Sequence, residues 1–306
     1  MPSHRRATLR ADLALAGAAF LFGTTFLVVQ DAVEDGGAIP FLVVRFAIGA
    51  AVLAPLAVRR ARPPAGFARA AVVLGVLLAA GYVLQTVGLQ HTTSSVSAFL
   101  TYLLVVFVPF LSAIVLHRPP SPIALVGVAL AVLGLVLLTA GASGEGLGRG
   151  LGLGELLTLG CAVAFAGHIV ALAAYAPRFD VAQLNLAQFA VLAGALAVPG
   201  AVLGGYRLSG GSLLAALYTG VVVSAVAFGL QVWGQRKVSA TRTALVLLLE
   251  PVFAALLGYL AGERLGVLGA LGAGTILVAI LVTEVGGPWL GRRRTGAPVT
   301  STSPLS

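Results

Sequence analysis

Leu247–Phe253 reads LLLEPVF and lies in a run, Ala244–Ala261, that carries no other charged residue. A helix interior favours neither Glu250 nor Pro251. The proline ring removes a backbone hydrogen bond and crowds the preceding turn, and the carboxylate brings a charge among hydrocarbon side chains. The rest of the chain decides what can hold both. It has 306 residues, 59% hydrophobic and only 9% charged, with mean hydropathy +1.03, whereas soluble domains carry about 25% charged residues. Uncharged stretches recur that can cross a hydrocarbon core ~30 Å thick, which takes roughly 20 helical residues. The composition points to an all-α polytopic membrane protein.

The formal charge of +9 comes from 18 arginines and one lysine, Lys237, gathered in alternate loops rather than along one face. They read as topology signals and not as a nucleic-acid surface. The one cysteine, Cys161, lies in an apolar run, which excludes an intramolecular disulfide and suits core packing. HExxH, GxSxG, GxGxxG and GxxxxGK are all missing from the sequence, so nothing points to an enzyme, a cofactor or a metal site.

Ten spans are expected, near 11–30, 38–58, 69–89, 95–116, 122–140, 153–174, 182–203, 213–233, 242–261 and 265–284. Short links such as HTTSS (His91–Ser95) and GERL (Gly262–Leu265) imply antiparallel neighbours. Of the 19 basic residues, 15 fall on one set of loops and tails. Only Arg149, Arg207 and Arg264 fall on the opposite set, and Arg45 lies inside the second span. The positive-inside rule then puts both termini in the cytoplasm of a plasma membrane of the bacterial inner type. The loop with Asp31, Glu34 and Asp35 holds no basic residue and faces outward. Residues 1–10 form a cytoplasmic tail. The tail 285–306, basic and then rich in Ser, Thr and Pro, reads as disordered.

Laid against itself, the chain shows two copies, 11–140 and 153–284, joined by an external linker at 141–152. Leu13, Gly17, Ala19 and Phe22 fall on Leu156, Gly160, Ala162 and Phe165, while Asp12 meets Glu155 and Arg45 meets Gln188. Further on, Leu84, Gln85 and Gly88 fall on Leu230, Gln231 and Gly234; Val106, Phe107 and Leu111 on Val252, Phe253 and Leu257; and Gly127 on Gly272. Five spans per copy is an odd number, so the second copy enters from the opposite side. The expected fold is therefore two five-helix inverted repeats, an arrangement characteristic of secondary transporters. It also argues against reading MPSHRRATLRADLALAGAAF as a cleaved signal peptide, since that segment has a partner in the second copy.

LFGTTFLV, VRFAIGA, GLQHTTSSVSAFL and above all KVSATRTALVLLLEPVFAALLGYLAGERL resemble the drug/metabolite transporter superfamily, in its ten-helix form with two EamA-type repeats. The resemblance runs from about Ala11 to Val285 and implies export of small metabolites or drugs. The chain departs from the family pattern at His117-Arg118-Pro119, where a second GER is common. It also has LVVFVP where the family's first copy has SPVFVP.

Polar residues inside the spans are the candidate site. A charge at a helix centre costs about 2.5–3.5 kcal/mol on insertion, so Glu250, roughly 12 Å from the cytoplasmic end, should face a cavity or a partner. It reads either as a proton- or cation-binding carboxylate or, since EP recurs in the family, as an architectural residue. Arg45, roughly 10 Å below the external face, can bind a substrate carboxylate or phosphate, or pair with Glu250. His168 reads as a core hydrogen-bonding residue or a proton relay. Gln85 and Gln231 lie one turn beyond Tyr82 and Phe228, an aromatic-plus-amide stripe suited to an amphipathic ligand. Thr25, Thr101, Gln188 and Trp233 complete the candidate wall, with Thr24, Ser97 and Asn185 as weaker additions. Pro109 and Pro251 are expected to kink the fourth and ninth spans. Asp12 and Glu155 are read as first-turn anions at the positive ends of helix dipoles. Glycine and alanine stripes suit close packing inside the fold or across a homodimer.

The function expected is secondary export of a small amphipathic metabolite, an amino acid or derivative, by alternating access. The alternative is a multidrug exporter of cationic or aromatic compounds, with proton antiport as one form of coupling. The partners implied are a small-molecule substrate and the lipid bilayer.

Overall fold

The computed structural model describes residues 2–25, 28, 37–92, 94–143, 152–203, 205–260 and 266–294. The acidic loop with Asp31, Glu34 and Asp35, most of the linker, Arg149, Arg264 and the tail from 295 lie outside them. In chain order the helices are α1 Pro2–Gly23, α2 Ala38–Ala57, α3 Phe67–Leu89, α4 Ser94–Tyr102, α5 Leu104–Leu116 and α6 Pro122–Ser143. They continue with α7 Leu153–Tyr175, α8 Val181–Leu203, α9 Gly210–Tyr218, a π-helical stretch Thr219–Ala227, α10 Phe228–Gln235, α11 Ala240–Leu247, α12 Leu249–Leu260 and α13 Val267–Arg294. There is no strand among the described residues. Eight helical stretches are long and apolar enough to cross a membrane, and Val267–Thr283 is a shorter apolar one.

Two of those stretches are broken near the middle. α4 gives way to α5 at Leu103, and α11 to α12 at Leu248. The second break answers the puzzle of LLLEPVF. Glu250 and Pro251 stand in the first turn of α12, where a missing N–H costs no intrahelical bond and an anion meets the positive end of the helix. The first break has no such local cause. Pro109 lies inside α5, so the kink expected there falls instead at Leu103, ahead of the proline.

The helices pack so that α1 lies against α10 and α12, and α7 lies against α3 and α5. α2 runs along α8, and α6 along α13. The tightest approaches come in matched sets. A Cβ on Gly88 would meet Thr158 Oγ1 at 2.7 Å and the Gly154 carbonyl at 3.0 Å, while one on Gly234 would meet Leu15 at 2.8 Å and the Ala11 carbonyl at 3.0 Å. Gly75 stands in the same way against the Gln188 carbonyl (2.8 Å) and Val191, and Gly220 against the Arg45 carbonyl (2.8 Å) and Ile48. Gly127 faces Ala279 and Thr283, and Gly272 faces Gly134 and Leu138. At these crossings a side chain would force the helices apart, so glycine sets the spacing.

Two expectations change and a related one holds. α1 starts at Pro2, so Asp12 is not in a first turn. It sits mid-helix and forms a two-pronged ion pair with Arg242 at the start of α11, with Nε–Oδ1 2.9 Å and Nη2–Oδ2 2.6 Å. Glu155 does occupy the first turn of α7, where its carboxylate accepts from the Gly152 N–H (2.9 Å) and the Thr92 hydroxyl (2.6 Å). At the other end of the chain α13 continues to Arg294, so the segment from 285 begins as helix.

Candidate functional site

At the centre of the body six aromatic rings form a chain. Phe46 on α2 and Phe189 on α8 touch at 5.2 Å between centroids. Phe46 meets Tyr82 at 5.1 Å and Tyr82 meets Phe165 at 5.3 Å; Phe189 meets Phe228 at 5.4 Å and Phe228 meets Phe22 at 5.1 Å. Most of these pairs are edge-to-face, the arrangement the ring quadrupoles favour. Phe46, Phe189 and Phe228 are buried, but Tyr82 and Phe165 keep accessible surface. The rings therefore form the floor of a cleft rather than a closed core.

Arg45 lies over this floor. Its guanidinium carbon is 5.1 Å from the Phe46 ring and 5.3 Å from the Tyr82 ring, within cation–π range. Nε donates to Ser224 Oγ at 3.3 Å and Nη2 to the Tyr82 hydroxyl at 3.4 Å. Although the residue is only 4% exposed, no carboxylate pairs with it among the described residues. Nη1 makes no hydrogen bond there, yet Asn185 Nδ2 is the one fully buried side-chain nitrogen or oxygen left without a partner. Nη1 therefore retains a little accessible surface and is the Arg45 nitrogen left without a protein partner among the described residues.

Glu250 is the second charge. Its carboxylate stands near the Tyr102 hydroxyl and lies within electrostatic reach of Arg45 without forming an ion pair. Tyr82 is within reach of both charges. Glu250 keeps accessible surface, and its backbone carbonyl abuts α1 at Gly23. A cation braced by Tyr82 and an anion beside Tyr102 thus face one aromatic-floored space, neither neutralising the other at contact.

The remaining sequence candidates divide. Gln85 is half-buried and donates to Thr101 Oγ1 (3.4 Å), which also contacts Cys161 Sγ; both lie beside the cleft on α3 and α4. His168 bonds Gln188 at 2.7 Å, and Gln188 in turn donates to Asn185. This makes a buried polar chain in which the imidazole is a hydrogen-bonded core residue. Gln231 donates to Gln235, and Gln235 to the Ile169 carbonyl. Thr25 and Thr24 hydroxyls bond carbonyls of their own helix, at Phe22 and Leu21, and Thr24 also meets the Tyr218 hydroxyl. Ser97 is buried. Trp233 is 39% exposed between buried Val232 and Gly234, so it lies on the outer face and leaves the wall. Pro251 stands in the first turn of α12 next to Glu250 and so shapes the site, whereas Pro109 does not mark the break.

Sequence reading missed Ser224, Tyr102 and the aromatic chain. Ser224 and Tyr102 are single polar residues in apolar runs, and only their long-range partners distinguish them. The rings had a signal, since Phe22, Phe46 and Tyr82 each fall on an aromatic residue of the second copy.

The EamA-like transporter family matches the chain in two blocks, residues 9–140 and 152–285. An uncharacterized transporter of Archaeoglobus fulgidus is 30% identical over 281 residues, covering 90% of this chain and 86% of that one. A solved crystal structure superposes with a TM-score of 0.76 at 20% identity, over 94% of this chain and 99% of that chain; this likeness concerns the fold alone. The family match and the relative's name define a transporter class. The chain belongs to the EamA-like transporter family of the drug/metabolite transporter superfamily and is a multi-pass membrane transporter.

Proposed function

We propose that this transporter exports a small amphipathic metabolite bearing both a carboxylate and an amine, an amino acid or derivative, by alternating access. The observation that carries the reading is the pair of opposite charges, Arg45 and Glu250, facing one cleft without contact. An apolar setting makes two such charges costly unless something completes them. A zwitterion does so at both ends, with its carboxylate on the Arg45 fork and its ammonium at Glu250. Its apolar part then lies on the rings of Phe46 and Tyr82.

Alternating access rests on two inverted five-helix halves with both termini cytoplasmic. The matched glycine approaches support this division: each contact of Gly88, Gly75 and Gly127 with the second half is returned by Gly234, Gly220 and Gly272 with the corresponding residues of the first. The ring chain has the same exchange, centred on the Phe46–Phe189 contact. A two-fold relation of this kind lets one half rock against the other around a fixed site.

A second reading, a multidrug exporter of cationic or aromatic compounds, draws on Glu250 having no cationic partner at contact among the described residues, and on the partly accessible rings of Tyr82 and Phe165. The test is untargeted mass spectrometry of spent medium from cells carrying the wild type, Arg45→Ala or Glu250→Gln at matched membrane levels. A carboxylate metabolite enriched by the wild type and lost in both variants supports the lead. Loss in Glu250→Gln alone, with cations as the affected compounds, moves the assignment to the second reading. Absence of any enriched metabolite counts against metabolite export.

A further inference from the structure

In the π-helical stretch Thr219–Ala227 the second half departs from the backbone of the first, whose corresponding stretch lies within the α-helix Phe67–Leu89. Gly75 and Gly220 occupy equivalent crossings, one on the Gln188 carbonyl and the other on the Arg45 carbonyl. Tyr82 and Phe228 then occupy equivalent places in the ring chain. Seven positions lead from Gly75 to Tyr82 and eight from Gly220 to Phe228. One residue has been added to the second half, and a helix absorbs a single added residue as a π-turn, a feature that recurs at functional sites.

The added residue brings Ser224 onto Arg45. The crossing is tight: a Cβ on Gly49 would lie 2.7 Å from Ser224 Cβ, and one on Gly220 would lie 2.7 Å from Ile48. Glycine at both positions lets the widened turn reach α2. Ser224 is fully buried and its hydroxyl meets Arg45 Nε. The corresponding place in the first half holds Leu78 and Ala79, both buried and apolar, and the counterpart of Arg45, Gln188, turns instead to His168 and Asn185. The fold is therefore satisfied by an apolar residue at this crossing, and the hydroxyl is left without a packing reason.

We infer that Ser224 is a positioning residue that sets the specificity of the site for planar oxyanions. By holding Nε, with Tyr82 holding one N–H of Nη2, it orients the guanidinium so that the second N–H of Nη2 and an N–H of Nη1 lie parallel at its outer edge. That geometry suits a carboxylate far better than a point contact does. The inference rests on the carboxylate reading above.

Two measurements on the purified protein in detergent test it, with Ser224→Ala and Ser224→Thr beside the wild type. Phenylglyoxal labelling of Arg45, followed by peptide mass spectrometry, reads the freedom of the guanidinium without any substrate. Ser224→Ala is expected to label about threefold faster or more, and Ser224→Thr at the wild-type rate, because the alanine releases a charge-assisted bond that threonine keeps. Equal rates in Ser224→Ala and the wild type, or an Arg45 inert in both, overturn the inference. Thermal stabilisation by phenylpyruvate, L-phenylalanine and phenethylamine reads specificity. Apparent affinity for the two carboxylates should fall about tenfold in Ser224→Ala, with phenethylamine unchanged, as one such bond is worth roughly that factor. An equal fall for all three probes also overturns it, as a general packing defect. If neither carboxylate stabilises the wild type, the carboxylate reading fails by itself, and the labelling rates still decide the role of Ser224.

Discussion

Arg45 and Gln188 occupy corresponding positions on α2 and α8, and their backbone carbonyls receive the same glycine approach from the opposite half. Their side chains have nothing else in common. Gln188 is completely buried and closed into a chain with His168 and Asn185. Arg45 lies over two rings, braced by a serine and a tyrosine, with an edge left open. The same contrast holds where the broken helices face each other. Leu104 begins α5 after the first break, and Glu250 stands in the first turn of α12 after the second. Repetition thus governs backbone packing, and chemistry is carried by the positions where repetition fails.

Substitutions at corresponding positions can break this comparison. The largest effect is expected for Arg45→Ala, which should lower export of the metabolite found in spent medium roughly 100-fold, the value of two charge-assisted hydrogen bonds. Gln188→Ala should lower it by less than about fivefold, since it removes a core amide and not a ligand contact. Transport into proteoliposomes at matched protein levels compares them, and equal losses would remove the distinction between the halves.

Next come the shared crossings. Gly75→Val and Gly220→Val place side-chain atoms where a Cβ alone would lie 2.5 Å from Val191 and 2.7 Å from Ile48. Each should cost about 3 kcal/mol or fail to insert, as overpacking does, whereas Gly274→Ala, with nothing within 4 Å, should be neutral. Thermal unfolding in detergent measures all three, and a tolerated Gly220→Val beside a lethal Gly75→Val would show that the π-turn yields.

Smaller effects are expected at the helix ends. Asp12→Asn leaves half-buried Arg242 without its two-pronged partner and should cost about 1–2 kcal/mol, between the values for exposed and buried pairs. Glu155→Gln, at the corresponding position, loses part of a cap and should cost about 0.5–1 kcal/mol. Unfolding curves at low and high salt separate them, because only the ion pair weakens with screening. A larger loss for Glu155→Gln would reverse the order assigned to the two ends.

Composition and hydropathy alone determined a helical membrane body, since uncharged runs of span length have few other uses for this chain. Ordered matches of Gly, Phe and Gln made the two copies legible, and isolated charges in apolar runs marked Arg45 and Glu250, because a charge in such a setting needs a reason. The spacing of LLLEPVF signalled a disturbed helix, but only the structure placed the disturbance at a break with Glu250 in a new first turn. The break at Leu103 has no proline beside it and could not be read locally. Tertiary structure alone decided that Asp12 pairs with Arg242 and that Trp233 faces outward. It also decided that His168 belongs to a core network, that Tyr102 stands beside Glu250 and that Ser224 holds Arg45. Each of these depends on which residues distant in sequence come together, and periodicity along a single helix in so apolar a chain does not say which face meets lipid and which meets another helix.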